Sequence, residues 1–278
     1  MREERNSSVF FEQRTDMKRV DARIISNKKV APDFYKMTVK SAYLAGHAKP
    51  GQFIEIKCTD GQHPLLRRPL GCHRISKDTL TILYEVVGKG TALLSGKKAG
   101  DAADIIGPLG NGFKLRSSGE AVLIAGGIGV APIAALAEAL IKRKNKVSVI
   151  IGAKKKSHIM CAAEFRSMGC RVLTVTEDGS IGAKGLVTDV LSGLLKNSRY
   201  SSPGTSIYAC GPNGMMKAIW TIAKEKDIPC QFSFESHMAC GVGVCLGCPI
   251  KVRSGLIDFE YKMVCKDGPV FNAEEIAW

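Results

Sequence analysis

The sequence predicts an α+β multidomain protein with an N-terminal antiparallel β-barrel, a central doubly wound α/β domain and a small C-terminal domain rich in cysteine. Between Val20 and Arg116, short runs of alternating apolar and polar residues are separated by Gly, Pro and Asp, which is typical of antiparallel strands. From Glu120 onward, continuous apolar runs alternate with helical stretches, which indicates βαβ units and a parallel sheet. After Pro229, four closely spaced cysteines lie among glycines. This segment is too short for a core of its own and is expected to depend on a metal centre.

These patterns divide the 278 residues into four segments. We predict a polar extension over residues 1–17, the barrel over 18–117, the α/β domain over 118–228 and the C-terminal domain over 229–278. Within the α/β domain, the predicted strands cover residues 121–125, 147–151, 172–175 and 206–209. The predicted helices cover residues 133–142, 162–168, 185–195 and 214–225. Strand and helix alternate throughout, as a doubly wound sheet requires.

The chain is strongly basic, with 40 Lys and Arg residues, 26 Asp and Glu residues and a formal net charge of +14. This charge fits a generally basic surface, an anionic ligand such as a dinucleotide pyrophosphate, or an acidic protein partner. Nucleic acid is disfavoured as a partner because the basic residues are scattered and aromatic residues make up only 6% of the chain.

No segment is expected to enter a membrane or to direct secretion. Residues 1–20 are mostly polar and lack the apolar core of a signal peptide. The most apolar stretch, residues 121–141, is interrupted by turn-forming residues and one acid: Gly126, Gly127, Gly129, Pro132 and Glu138. A membrane span needs about 20 apolar residues, so a buried strand, turn and helix explain this stretch better. We expect a cytoplasmic protein, in which clustered cysteines are metal ligands rather than disulfides.

Cys240, Cys245, Cys248 and Cys265 form the pattern C-x4-C-x2-C followed, after sixteen residues, by a fourth cysteine. This is the plant-type spacing of a 2Fe-2S cluster, in which a tight loop supplies three of the four thiolates. The glycines of the loop lack a Cβ atom and let backbone N–H groups approach the cluster sulfurs. The alternative is a structural zinc site, which usually has two close ligand pairs. Only Cys245 and Cys248 form such a pair, so the pattern favours the cluster.

Two glycine turns follow predicted strands of the α/β domain. Gly127 and Gly129 lie between a buried strand and a helix, and a later strand is followed by Cys210, Gly211 and Pro212. Glycine lets a pyrophosphate approach the backbone, and the helix N-terminus supplies free N–H groups. The first turn lacks the G-x-G-x-x-G fingerprint, so a purely structural turn is the alternative. If both turns bind a nucleotide, they face one cleft at the carboxyl ends of the strands.

Two motifs in the barrel segment are suited to binding phosphate. The first motif leads into a predicted strand and consists of Arg67, Arg68, Pro69, Leu70 and Gly71. The second opens a predicted helix and consists of Gly88, Lys89, Gly90 and Thr91. An arginine binds a phosphate through two nitrogens, and the glycine and threonine offer backbone and hydroxyl donors. The alternative for both motifs is an ordinary solvated loop.

Taken in order, these motifs resemble the ferredoxin-NADP reductase superfamily, and within it the electron-transfer subunits of type B dihydroorotate dehydrogenase. The resemblance extends from Val20 to the C-terminus. It includes three further segments, which are residues 107–113 (GPLGNGF), 176–180 (TEDGS) and 265–271 (CKDGPVF).

The resemblance implies that the barrel binds FAD, that the α/β domain binds NAD as a co-substrate and that the C-terminal domain holds a 2Fe-2S cluster. In that family, a separate FMN-containing catalytic subunit oxidises dihydroorotate to orotate in pyrimidine biosynthesis. Electrons then pass to the cluster, to FAD and, as a hydride, to NAD. The resemblance implies this partner, with two copies of each chain. We find no acid–base pair in the chain for proton abstraction, and none is needed if the partner performs that step.

Binding roles follow from the same resemblance at the matching positions. The positions implied to line the flavin are Arg68, Pro69, Leu70, Gly71, Glu85, Val86 and Val87. Gly90 and Thr91 are implied to lie at its phosphates. The nicotinamide nucleotide is implied to lie between the two glycine turns, at Gly127, Gly129, Cys210, Gly211 and Pro212.

Gly71 departs from the family pattern, which usually has a serine there and so a hydroxyl near the flavin. A sister family, the small subunit of NADH-dependent ferredoxin:NADP oxidoreductase or sulfide dehydrogenase, also resembles the chain. That family usually has Asp as its first cluster ligand, so Cys240 favours the dihydroorotate system. Three lysines at 154–156 fit either a solvated basic loop or the 2′-phosphate of NADP.

Three functions therefore compete. The leading hypothesis is an electron-transfer subunit that needs a partner for the organic substrate. The second is a self-contained NAD(P)H reductase for an oxygenase, ferredoxin or sulfide system, with the same cofactors. The third, a zinc-binding or nucleic-acid-associated module, leaves the glycine turns unexplained.

Overall fold

The computed structural model describes residues 16–200, 203–255 and 258–278. The predicted polar extension, residues 1–17, lies outside these ranges except for its last two residues. Among the described residues, no helix combines the length and the apolar character that crossing a membrane requires.

The N-terminal part is a closed six-stranded barrel with two short helices. Its strands are β1 (Lys18–Ala31), β2 (Phe34–Lys40), β3 (Phe53–Ile56), β4 (Arg68–Ile75), β5 (Thr79–Glu85) and β6 (Ala102–Leu109). Its helices are α1 (Ala42–His47) and α2 (Lys89–Ser95). The strand order is β1-β2-β5-β4-β3-β6, and neighbouring strands are antiparallel. Alternate residues such as Ile54, Ile56 and Ile82 fill the interior, which confirms the predicted barrel.

The remaining elements follow in chain order. They are β7 (Gly119–Gly126), α3 (Val130–Lys142), β8 (Asn145–Ala153), α4 (Ala162–Ser167), β9 (Arg171–Thr176), β10 (Ala183–Lys184), α5 (Val187–Leu194), β11 (Thr205–Cys210), α6 (Asn213–Lys224), β12 (Cys230–Ser233), β13 (Pro249–Ser254), β14 (Asp258–Met263) and β15 (Val270–Asn272). Seven of these strands form one sheet in the order β10-β9-β8-β7-β11-β12-β15. All its neighbours are parallel except β12 and β15. The doubly wound sheet is therefore confirmed, and the four predicted strands and four predicted helices are all present.

The C-terminal part is joined to this sheet. β13 and β14 form a separate antiparallel pair, whereas β15 pairs with β12. Cys248 and Cys265 lie in one hydrophobic cluster with Ile207 and Phe232 of the sheet. The short C-terminal segment therefore shares the core of the sheet. β12 and β15 continue the sheet past residue 228. The domain boundaries proposed from the sequence, including the one between residues 228 and 229, remain predictions.

Candidate cofactor sites

A cleft of about 910 Å³ lies between the barrel and the central sheet, a volume typical of ligand sites. One wall contains most of the residues predicted to bind the flavin, namely Arg68, Pro69, Leu70, Gly71, Glu85, Val87, Gly90 and Thr91. The opposite wall includes Cys210 at the end of β11, Ile128 of the first glycine turn and Pro132 of α3. Val86 does not line the cleft. Its amide donates to the carbonyl oxygen of Asp33 at 2.7 Å, and its side chain packs on the barrel core.

The first turn of α2 forms a cradle for an anion beside Arg68. A Cβ atom on Gly90 would lie 2.6 Å from Nε of Arg68, so only glycine lets this guanidinium rest against the helix. The Thr91 hydroxyl accepts from the amide of Val87 at 3.0 Å and donates to the carbonyl of Gly88 at 3.1 Å. Thr91 therefore fixes the turn through its side chain, while Arg68 supplies the positive charge that a phosphate requires.

Gly71 lies on β4 opposite Phe53 and lines the same cleft. A Cβ atom there would meet only Pro132, at 3.8 and 3.9 Å, which is ordinary van der Waals contact. The backbone therefore has room for the serine of the family pattern, and the absent hydroxyl is not a consequence of crowding.

The two glycine turns lie side by side at the carboxyl edge of the sheet. β7 and β11 are parallel neighbours, with Ala125 opposite Cys210. A Cβ atom on Gly129 would lie 2.2 Å from the carbonyl oxygen of Cys210, so this glycine is needed for close packing. Gly127, with φ +57°, has open space where its Cβ would be. The turn is thus tightly packed on one side and open to a ligand on the other.

The four clustered cysteines make their contacts in two pairs. The amides of Val242 and Cys245 each donate to Sγ of Cys240 at 3.4 Å, and the amide of Cys265 donates to Sγ of Cys248 at 3.4 Å. Burial opposes ionisation of Cys240, but the amides of Cys245 and Val242 outweigh it and lower the pKa of this thiol to about 6. Burial, reinforced by Cys248, raises the pKa of Cys265 to about 12.

This arrangement fits a two-iron cluster better than a single zinc ion. Zinc needs four ligand atoms around one centre. Among the described residues, no three of the clustered cysteines have their sulfur atoms within 4.8 Å of one another. The donor atoms of His73, Cys161 and Glu164 do lie that close together. Two pairs of cysteines, with amides directed at the sulfurs, suit two irons.

The loop that carries these cysteines packs directly on the barrel. Gly241 has φ +68°, and a Cβ atom there would lie 2.6 Å from Cγ of Glu55. Glu55 is opposite Pro69 in the β3–β4 pair, so the loop contacts the strand beside the flavin strand. Further along, Gly247 lines the cleft itself. Residues 233–239 also line the cleft and lead directly into Cys240. The cleft and the cysteine loop are therefore contiguous.

Glu55 was not identified from the sequence as a notable residue. Its side chain is 2% exposed, and neither carboxylate oxygen has a hydrogen-bond partner. Burial raises the pKa of this carboxyl to about 7, although Arg67 acts in the opposite direction. Strand alternation correctly directs Glu55 away from the barrel interior. It does not reveal that the cysteine loop covers the outer face there.

Two family models match the chain. The iron-sulfur cluster binding domain of dihydroorotate dehydrogenase B matches residues 235–277, and the oxidoreductase NAD-binding domain matches residues 123–221. These segments contain the cysteine loop and the first glycine turn.

Among solved structures, the NADH-dependent reduced ferredoxin-NADP oxidoreductase, described in work on flavin-based electron bifurcation, is similar over 93% of this chain and 90% of that chain. Its TM-score is 0.80 and its sequence identity 32%. The ferredoxin NADP+ reductase of Neisseria gonorrhoeae with bound FAD and NADP has a TM-score of 0.62 at 18% identity over 75% of this chain and 92% of that chain. The latter likeness supports the fold.

Curated relatives resemble the chain over nearly their whole length. The dihydroorotate dehydrogenase B (NAD(+)) electron transfer subunit of Desulforamulus reducens is 41% identical over 262 residues, which are 93% of this chain and 98% of the relative. The subunit of the same name from Caldanaerobacter subterraneus subsp. tengcongensis is 38% identical over 258 residues, with the same coverage. The chain therefore belongs to the family of dihydroorotate dehydrogenase B (NAD(+)) electron transfer subunits.

Proposed function

We propose that this chain passes electrons from an FMN-containing catalytic subunit, which oxidises dihydroorotate to orotate, through a 2Fe-2S cluster and FAD to NAD. One observation carries the proposal. A single cleft is lined by the flavin strand β4, by Cys210 at the nucleotide edge and by Gly247 of the cysteine loop. The three predicted sites therefore adjoin, as consecutive electron transfers require.

The residues of the chain bind and orient the three groups. Cys240, Cys245, Cys248 and Cys265 ligate the cluster. Arg68 and the first turn of α2 hold the FAD pyrophosphate, and residues 69–71 and Glu85 line the flavin. The turns at Gly127 and Gly211 hold the nicotinamide nucleotide. FAD, when bound, supplies the chemistry that joins one-electron transfer to two-electron hydride transfer.

The end of the cysteine loop is a suitable docking surface for the partner. Cys245 is exposed and is flanked by Val244 and Leu246, whose side chains are 75% and 68% exposed. A contiguous exposed apolar surface is a mark of an interaction site. A partner seated there brings its flavin close to the cluster. The formal charge of +14 favours an acidic partner surface. We propose two copies of each subunit and a cytoplasmic location.

The similarity to the NADH-dependent reduced ferredoxin-NADP oxidoreductase supports a second candidate, an NAD(P)H reductase with the same cofactors and a ferredoxin or sulfide partner. Cys240 as first cluster residue favours the dihydroorotate system instead.

Reconstitution distinguishes the two functions. We expect the chain, mixed with its FMN-containing subunit, to form a complex that reduces NAD when dihydroorotate is added. Leu246→Asp should weaken this complex and the coupled activity at least tenfold, because a charge replaces an apolar contact, and leave flavin reduction by NADH unchanged. Lys184→Asp, at an exposed position on the far edge of the sheet, is the matched control and should leave the complex intact. Absence of a complex, together with NAD(P)H-driven reduction of a ferredoxin, would support the second candidate.

A further inference from the structure

Five polar side chains join the barrel to helices α3 and α4 of the α/β domain. Glu164 of α4 accepts from Lys36 of β2 at 2.7 Å and from Arg74 of β4 at 3.0 Å. Arg74 also contacts Glu138 of α3, with Nε 3.2 Å from Oε2. His73 of β4 contacts Glu164 with Nε2 3.3 Å from Oε2. We call these residues the clasp. Lys36, His73 and Arg74 belong to the barrel, and the two carboxylates belong to helices of the α/β domain.

We propose that the clasp positions the nicotinamide nucleotide for hydride transfer, with Glu164 as its central positioning residue. The inference rests on the proposed function and adds a residue-level requirement to it. None of the five clasp residues lines the cleft, so Glu164 acts through the elements that it holds and not through contact with a cofactor.

His73 connects the flavin strand directly to the nucleotide turn. It is fully buried and lies two residues after Gly71. Its Nδ1 is 2.9 Å from the carbonyl oxygen of Ala131, which lies two residues after Gly129. Both of its ring nitrogens therefore face acceptors, one a carbonyl and one a carboxylate. The ring therefore bridges β4 to the start of α3 on one side and to α4 on the other.

Glu164 balances the positive charges of Lys36 and Arg74. Burial alone would raise its pKa, but the hydrogen bond and charge of His73 and the charge of Lys36 outweigh burial and hold that pKa well below its usual range. Without this carboxylate, Lys36 and Arg74 of the barrel would lie close together with only Glu138, on Arg74, to balance their charges. Repulsion would then separate α4 and α3 from the barrel.

The same residues do not favour a metal site. The donor atoms of His73, Cys161 and Glu164 lie within 4.8 Å of one another, which is metal-ligand spacing. However, both oxygens of Glu164 are already engaged by Lys36 and Arg74.

The expected effect is on the rate of hydride transfer and not on nucleotide affinity. Reacting atoms must approach to about 3–3.5 Å, and a displacement of about 1 Å reduces rates by about 100-fold. Glu164→Gln should therefore lower the first-order rate of flavin reduction at saturating NADH by about 10- to 100-fold. The half-saturating NADH concentration should change by no more than about twofold, because the nucleotide turns themselves are untouched.

The experiment is stopped-flow reduction of the FAD-loaded chain by NADH, comparing Glu164→Gln with Glu120→Gln. Glu120 forms an ion pair of the same length, 2.7 Å, with Arg199, but both residues belong to the α/β domain. We expect Glu120→Gln to keep the wild-type rate and Glu164→Asp to recover part of it. Lys36→Gln, which removes one cation of the clasp, should lower the rate less than Glu164→Gln does. It replaces Glu164→Gln in the test if that variant does not fold.

A wild-type rate in Glu164→Gln, or an equal loss in Glu120→Gln, would overturn this inference while the proposed function stands. Failure of NADH to reduce the wild-type flavin would instead contradict the proposed function itself.

Discussion

Cys245→Ala should abolish the 2Fe-2S cluster and leave FAD bound, so that the iron content falls to background and the flavin absorption remains. Cys245 is one of the four proposed ligands and is exposed. Its loss therefore removes a thiolate without opening a cavity in the core. Iron analysis and the visible spectrum of the anaerobically purified variant give both readouts.

Two other cysteine variants complete this test. Cys248→Ala should also lose the cluster, but Cys248 is 2% exposed in the shared core. It should cost about 1 kcal/mol of unfolding free energy in addition. Cys58→Ala, at a buried and isolated cysteine of the barrel, should keep its iron. Retention of a full cluster in Cys245→Ala would contradict the ligand assignment. Loss of flavin with iron would show that the two sites are not independent.

Arg68→Ala should weaken FAD binding by about 10- to 100-fold. Hydrogen bonds to charged groups contribute about 1.5–3 kcal/mol, and each 1.4 kcal/mol corresponds to tenfold in affinity. The guanidinium lies against the first turn of α2, where a pyrophosphate would contact both. Flavin retention during gel filtration and titration of the apoprotein with FAD measure the effect.

Two controls make the Arg68 result specific. Arg68→Lys keeps the charge but loses the planar fork, so its affinity should be intermediate. Arg19→Ala removes an exposed arginine that pairs with Asp104 on β6 and should bind FAD normally. Wild-type affinity in Arg68→Ala would place the pyrophosphate elsewhere in the cleft.

Local sequence patterns were sufficient for the elements that are continuous along the chain. The alternation around Ile54 and Ile82 predicted the barrel, and the apolar run at 121–125 predicted a strand buried on both faces. β12 and β15 escaped prediction because each is short and their pairing joins residues about 40 positions apart, as in Gln231 with Asn272. No periodicity within either segment encodes that contact.

The same distinction between local and distant contacts applies to the sites. The spacing of the cysteines and the glycines at 127 and 129 are local signals, and each could be found in the sequence. Glu55 and Glu164 could not be found in that way. Glu55 becomes notable only when the cysteine loop covers β3, and Glu164 only when α4 meets β2 and β4. Val86 follows the pattern of its neighbours, but it lies just after β5, where its amide bonds to Asp33 and its side chain packs on the barrel core.

The most direct test of the electron path is an anaerobic visible spectrum of the purified chain, with iron and flavin analysis, before and after addition of NADH. We predict a flavin band above a broad iron–sulfur absorption, two irons per flavin, and bleaching of both chromophores by NADH. A colourless protein that contains zinc, or a flavin that NADH does not reduce, would contradict the account.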